Sequence, residues 1–184
     1  PQRLAFAQQL AEQLLAAFED ADRGGFFFTR HDHEPLIHRP KPIHDGVTAS
    51  GNGAAAGALL TLGYLIGEPR YVDAAARTVA FVEARSADAP HAACSIHRAR
   101  ALLERPPAIV VLTGPPAATA QWAASLHPML SPRQLLIDAG DRGDLPPALA
   151  KPVATEVQAW LCEGMSCRAP ERDLQRLIGA LGSS

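Results

Sequence analysis

The sequence predicts a mainly α chain with a small α/β tail, and three observations carry that reading. Through the first hundred residues, apolar side chains recur at three- and four-residue steps, the spacing that lines one face of a helix. At Ala108 the pattern changes to AIVVLTG, a continuous apolar run of the kind that fills a buried strand. A helical stretch and a second strand, RQLLID, follow it, the order of a βαβ unit. A hydrophobic content of 47% over 184 residues is enough for a proper core.

Leu4, Ala7, Leu10, Ala11, Leu14, Leu15 and Phe18 form the first amphipathic stripe, which ends between Asp20 and Gly25 and predicts one buried face. GGFFFTR then reads as a short strand bounded by glycines, with Phe26 and Phe28 on one side and Phe27 on the other. That register would place Phe26 and Phe28 in one core with Leu62 and Val79, and leave residues 32–44 largely exposed. Residues 32–49, with three prolines and little periodicity, read as a long loop. Ser50 is placed to cap a helix through Ala54, Ala58, Leu62 and Leu65, with Gly67 as its left-handed terminator. Pro69 suits the first turn of the next helix, whose stripe is Val72, Ala75, Ala76, Val79 and Val82, so the two helices should make a tight hairpin. Pro90 begins a further helix through Ala93, Ile96, Leu102 and Leu103.

In the tail, Ala118, Trp122, Leu126 and Leu130 mark the helix between the two strands. The loop AGDRGDLPPALAKP leads to a last strand, in which Val153, Thr155, Val157, Ala159 and Leu161 alternate with their neighbours as far as Cys162. Leu174, Leu177, Ile178 and Leu181 mark a closing helix. The division is a helical part with one short strand, residues 1–105, and a small α/β subdomain, residues 106–184.

Charge excludes some partners. The net charge is −2 and the 17 basic residues are scattered, so neither nucleic acid nor an anionic membrane is expected. No apolar run nears the roughly twenty residues of a membrane span and no leader pattern stands at the start, so a cytoplasmic setting is expected. The chain opens Pro1-Gln2-Arg3 directly on a helical pattern and reads as part of a longer protein. VLTGPP has one glycine before two prolines, not the glycine-rich turn that holds phosphate, and no cofactor is expected.

With these segments in place, GGFFFTRHDHEPLIHRPKPIHDGVTASGNG resembles a block of the family of spermatogenesis-associated protein 20 and bacterial YyaL. The family pattern runs approximately GGFYFT, then D-x-E-P-L-I, R-x-K and D-G-A-x-P-S-G-N. The stretch VQAWLCEGMSCRAPERDLQRL is similar to the family's V-C-E-N-x-x-C-x-x-P ending. The resemblance implies a larger protein with an N-terminal thioredoxin-like domain and a toroid of paired helices similar to six-hairpin glycosidases. In that protein residues 1–105 would be a helix-hairpin part of the (α/α) toroid, and the βαβ-containing subdomain would follow. The missing thioredoxin-like and toroid segments would be its partners, with a sugar as possible ligand. Ala49 stands for the family's proline, Val47 for its alanine and Gly53 for a serine, which predicts a looser loop.

Sugar chemistry of the glycosidase or epimerase kind needs a proton donor and acceptor on opposite sides of one ring. Asp32, Glu34 and Asp45 are the candidate catalytic acids. Arg39, Lys41, His44, Ser50 and Asn52 are the candidate substrate-binding groups, with His44 an alternative base. The competing reading is that these side chains cap helix ends and pair with one another. His31 and His33, two apart, with His38 and His44 nearby, could be imagined as metal ligands, but no third-ligand spacing supports a site and no metal is expected. Cys162 and Cys167 flank a turn-like tetrapeptide, and a cytoplasmic setting favours two thiols over a disulfide or a redox or metal role. Cys94 reads as a small core residue.

Two functions follow: one wall of a carbohydrate-processing cavity, or a non-catalytic segment that supports the thioredoxin-like neighbour. Trp122 and Trp160, the residues suited to stacking on sugars, both lie in the tail, away from the loop. Half a toroid would leave apolar helix faces without partners, so a homo-oligomer is expected for this chain alone.

Overall fold

The computed structural model describes residues 2–34, 36–141, 145–152 and 154–182. About 49% of the described residues are helical, and the described strands form one small four-stranded mixed sheet. It divides into two compact units, Pro1–Tyr64 with Glu68–Arg105, and Leu65–Gly67 with Pro106–Ser184.

The first unit contains α1 (Gln2–Phe18), α2 (Gly51–Ile66) as far as Tyr64, α3 (Pro69–Glu83) and α4 (Cys94–Glu104). The stripe of α1 is only partly covered: Ala11 is buried, Leu14, Leu15 and Phe18 are half-buried, and Leu10 is exposed. Helix α2 buries Asn52, Gly53, Ala55, Ala56, Leu59, Leu60, Gly63 and Tyr64, and its small residues let α3 come close. A Cβ on Gly63 would lie 2.9 Å from Val72 Cγ2 and 3.2 Å from Tyr71 Cβ. Gly67 ends α2 at φ +71°, where an L side chain is strained, and Glu68 accepts the N–H of Arg70 at 3.2 Å to start α3. Tyr71, Ala74, Ala75, Thr78, Val79, Phe81 and Val82 form the buried face of α3.

GGFFFTR is not a regular strand. Its only ladder contact among the described residues is a single bridge between Glu19 and Phe26. Gly24 and Gly25 turn the chain at φ +74° and +81°, and the next amides go to separate acceptors: Phe27 N–H to Phe18 O at 2.9 Å and Phe28 N–H to Pro40 O at 2.8 Å. Without a continuous ladder the two-residue alternation does not hold. Phe26 is buried at 4% exposure, Phe28 is 71% exposed and Leu62 is half-buried, which corrects the expected common core.

The second unit contains β1 (Ala108–Thr113), α5 (Pro116–Leu126), β2 (Gln134–Gly140), β3 (Gln158–Glu163), β4 (Ser166–Cys167) and α6 (Leu174–Gly182). The sheet order is β2-β1-β3-β4, with β1 parallel to β2 and antiparallel to β3. Every residue of β1 is buried, as its unbroken apolar run requires of a central strand. Ala108, Val110 and Leu112 form one core with Ala159 and Leu161 of β3, Ala123 and Leu126 of α5, and Leu177 and Leu181 of α6. The last strand begins at Gln158 rather than near Val153; Val153 itself and residues 142–144 of the preceding loop lie outside the described residues, as does Pro35. A Cβ on Gly114, at φ +132°, would come 2.7 Å from Glu156 O, so the chain passes close to β1 before β3 begins. No described helix is long and apolar enough to cross a membrane.

Candidate functional site

The stretch 44–53 is fastened to two helix N-termini. Asp45 sits at the centre: its Oδ1 accepts the N–H of Ser50 at 2.8 Å and the hydroxyl of Ser95 at 2.5 Å, and its Oδ2 accepts the N–H of Ser95 at 2.7 Å. Its own N–H reaches Ala92 O at 2.6 Å. Ser50 in turn accepts the N–H of Gly53 at 3.1 Å, the cap its position predicts for α2. One carboxylate therefore serves the starts of α2 and α4 together, where unpaired amides and the helix dipoles favour negative charge. Desolvation pushes the Asp45 carboxyl up. The N–H of Ser50 and the hydroxyl and N–H of Ser95 outweigh it and hold the carboxyl at about 2.

Asn52, 1% exposed, splices the phenylalanine segment to the loop. Its Oδ1 accepts the N–H of Phe26 at 2.6 Å, while Nδ2 donates to Phe26 O at 3.1 Å and to Pro42 O at 2.8 Å. This is an amide used as two strands' worth of backbone. Gly53 makes room for the junction: a Cβ there would fall 1.8 Å from Ser95 Oγ. Gly53, one of the three departures behind the expected looser loop, lets Ser95 reach Asp45.

Lys41 points inward. Its ammonium, on a side chain 11% exposed, contacts Asp20 Oδ2 at 2.7 Å and Gly24 O at 2.8 Å, and lies 3.9 Å from the centre of the Phe81 ring. Burial pushes the Asp20 carboxyl up, and the hydrogen bonds from Lys41 and Arg23 bring it below its ordinary value. Arg39 stacks over Phe27 at 4.0 Å, donates to Thr29 O at 2.7 Å, and meets His31 Nδ1 at 3.2 Å.

The remaining candidates are exposed. Asp32 pairs with Arg30 at 2.9 Å, and that bond lowers its carboxyl pKa. Glu34 offers its carbonyl to His33 Nδ1–H at 3.1 Å, and His44 is exposed. Asp32 borders a shallow recess of about 250 Å³ with Gln13, Ala16, Ala17, Arg30 and His31. Asn52 borders a different one, an apolar recess of about 320 Å³ lined by Leu14, Phe18, Phe26–Phe28, Pro42 and Gly51. Neither is bordered by Glu34 or Asp45. The structure brings Asp45, Ser50 and Asn52 to one junction and Lys41 and Arg39 to a neighbouring aromatic cluster.

Sequence reasoning missed Ser95 and Asp20, the groups that complete these clusters from 50 and 21 residues away. A serine on the first turn of a helix preceded by proline was the available signal for Ser95. Among the described residues no group of three or more His, Cys, Asp and Glu is arranged to hold a metal. His31 instead meets Glu19 O through Nε2 at 3.0 Å.

Cys162 and Cys167 are joined in a disulfide, which corrects the expected pair of thiols. They are direct partners across the β3–β4 ladder, closed by a two-residue turn at Gly164 and Met165. Cys94 is exposed rather than in the core, its thiol donating to His91 O at 3.2 Å. In comparisons with known proteins, no family model matches the chain and no curated protein matches it in sequence.

Proposed function

We propose that this chain is an architectural segment of a larger protein, a helix-hairpin wall of an (α/α) toroid of the spermatogenesis-associated protein 20 and YyaL kind. In this reading residues 44–53 fasten helices and carry no reaction. The supporting observation is the Asp45 carboxylate, whose oxygens take three hydrogen bonds from the protein. A general acid or base works best with a pKa near the operating pH, and a carboxyl held at about 2 is a very weak base at neutrality. The alternative, a sugar-processing cavity, rests on the family resemblance; the recess beside Asn52 offers it apolar rings and a carboxamide already in use.

The partners in this reading are the upstream toroid helices and the thioredoxin-like domain, in a cytoplasmic setting. Exposed Phe6 and Leu10 on α1 are apolar surface that a neighbouring helix would cover. The isolated chain should therefore self-associate, which sedimentation equilibrium over a range of concentrations tests.

Asp45→Asn separates the two functions. Architecture predicts a fall of several degrees in melting temperature and no change in binding across a panel of neutral sugars. Sugar binding that is present in the parent and lost in the variant, with melting unchanged, would replace the architectural reading by the carbohydrate one.

A further inference from the structure

The disulfide of the α/β unit is a separate site, independent of the architectural reading. The two sulfurs have unequal surroundings. Cys162 is 5% exposed, whereas Cys167 on the edge strand β4 is exposed. Lys151 places its ammonium 3.2 Å from Cys167 Sγ, 3.1 Å from Ala148 O and 5.8 Å from the centre of the Trp160 ring. Among the described residues no carboxylate pairs with Lys151. Burial lowers the Lys151 pKa, so a neighbouring anion would be favourable to it. A bridge between residues only five apart removes less chain entropy from the unfolded state than a bridge closing a long loop. An accessible sulfur beside a cation, with a buried partner behind it, is the arrangement that supports exchange.

We propose that Cys162–Cys167 is a redox-active disulfide that exchanges with an external dithiol, Cys167 being the sulfur attacked and Lys151 the cation beside it. A thiolate of the dithiol attacks Cys167 Sγ along the exposed side. The Sγ–Sγ bond breaks, its electron pair leaves on Cys162, and Cys162 takes a proton from solvent. The second thiolate of the reductant then attacks its own sulfur in the mixed disulfide and expels Cys167 as a thiolate next to the Lys151 ammonium. The dithiol ends as a cyclic disulfide, and the protein gains two electrons and one proton, the latter on Cys162, while Cys167 stays a thiolate beside Lys151. Run in reverse, the Cys167 thiolate is the nucleophile and Cys162 the resolving thiol.

The test uses the whole chain carrying Cys94→Ser, so that only this pair reacts. Dithiothreitol under native conditions should reduce the disulfide at a rate first order in thiolate. Lys151→Met should slow that rate roughly tenfold, the size expected for one partly exposed charge contact, and Lys151→Arg should restore most of it. In the reduced parent chain, iodoacetamide should modify Cys167 before Cys162, with a half-reaction pH below the roughly 8.5 of an ordinary thiol. Reduction only after denaturation would overturn the proposal. So would a Cys167 half-reaction pH at or above that value, or an unchanged rate in a Lys151→Met chain with native circular dichroism. The alkylation profile needs no substitution at Lys151 and decides the matter if that variant does not fold.

Discussion

The helical unit and the α/β unit hold themselves together by different means. In the α/β unit one apolar layer does the work: alternate residues of β1 and β3 meet α5 and α6, and the strands bond through their own backbones. In the helical unit much of the long loop is held by polar hubs, the half-buried Asp45 between two helix starts, the buried Asn52 between Phe26 and Pro42, and the half-buried pair Asp20 and Lys41. An apolar layer tolerates most apolar side chains of similar size. A polar hub accepts only a group with the same donors and acceptors, because each lost partner leaves a desolvated group behind. A motif-like run of polar residues is therefore what an irregular loop needs in order to be rigid, before any substrate is considered.

The largest test of that contrast is Lys41→Met. It strands the Asp20 carboxylate in a largely buried setting and should cost about 3–5 kcal/mol in urea unfolding. Adding Asp20→Leu should recover most of the loss; if it does not, the pair contributes more than mutual neutralisation. Next come two truncations of similar size and different logic. Asn52→Ala and Leu126→Ala should each cost about 3 kcal/mol, the first through unpaired backbone groups at Phe26 and Pro42, the second through a cavity. Replacement by a residue of similar volume should separate them: Leu126→Met should cost less than about 1.5 kcal/mol, while Asn52→Leu should cost as much as Asn52→Ala.

Acid supplies a smaller effect. Asp45 has a folded pKa of about 2 against an unfolded value of 3.8, so its contribution is complete above about pH 5 and is lost as pH falls through about 2. With its partial exposure discounted, the loss should be about 1–2 kcal/mol. Asp45→Asn should flatten that part of the stability curve, leaving the remainder due to Asp20 and other carboxyls held low. The smallest effect has the opposite sign. Thr113 Oγ1 is buried with no hydrogen-bond partner among the described residues, so Thr113→Val should stabilise the α/β unit by about 1 kcal/mol in thermal melts.

The elements most legible in the sequence are those whose signal is local. Gly67 and Pro69 mark the turn between α2 and α3, Ser50 caps α2, and AIVVLT is a central strand because only a strand buried on both faces is apolar throughout. The α-then-α/β character follows from those periods alone. The segments read less well, GGFFFTR and the residues before Gln158, look like strands by composition, yet their backbone amides find partners elsewhere or none in a ladder. Period two has meaning only where a neighbouring strand enforces it.

The meaning of HDGVTASGNG lay beyond the sequence for a related reason. An acid, a serine and an asparagine in a row fit a catalytic loop and a helix entrance equally well, because the same oxygens and amides serve both. Which one they are depends on what stands opposite: Ser95, 50 residues along the chain, meets Asp45, and Phe26, 26 residues back, meets Asn52. For the cysteine pair the sequence favoured two thiols, whereas a hairpin sets the two residues side by side and brings Lys151 to one sulfur. The sequence by itself determined the helices, the central strand and the caps, since those depend on residues within a turn or two of one another. Tertiary structure decided the partners of Asp45, Asn52 and Lys41, since hydrogen bonds reach about 3 Å and chain separation says nothing about which group will be there.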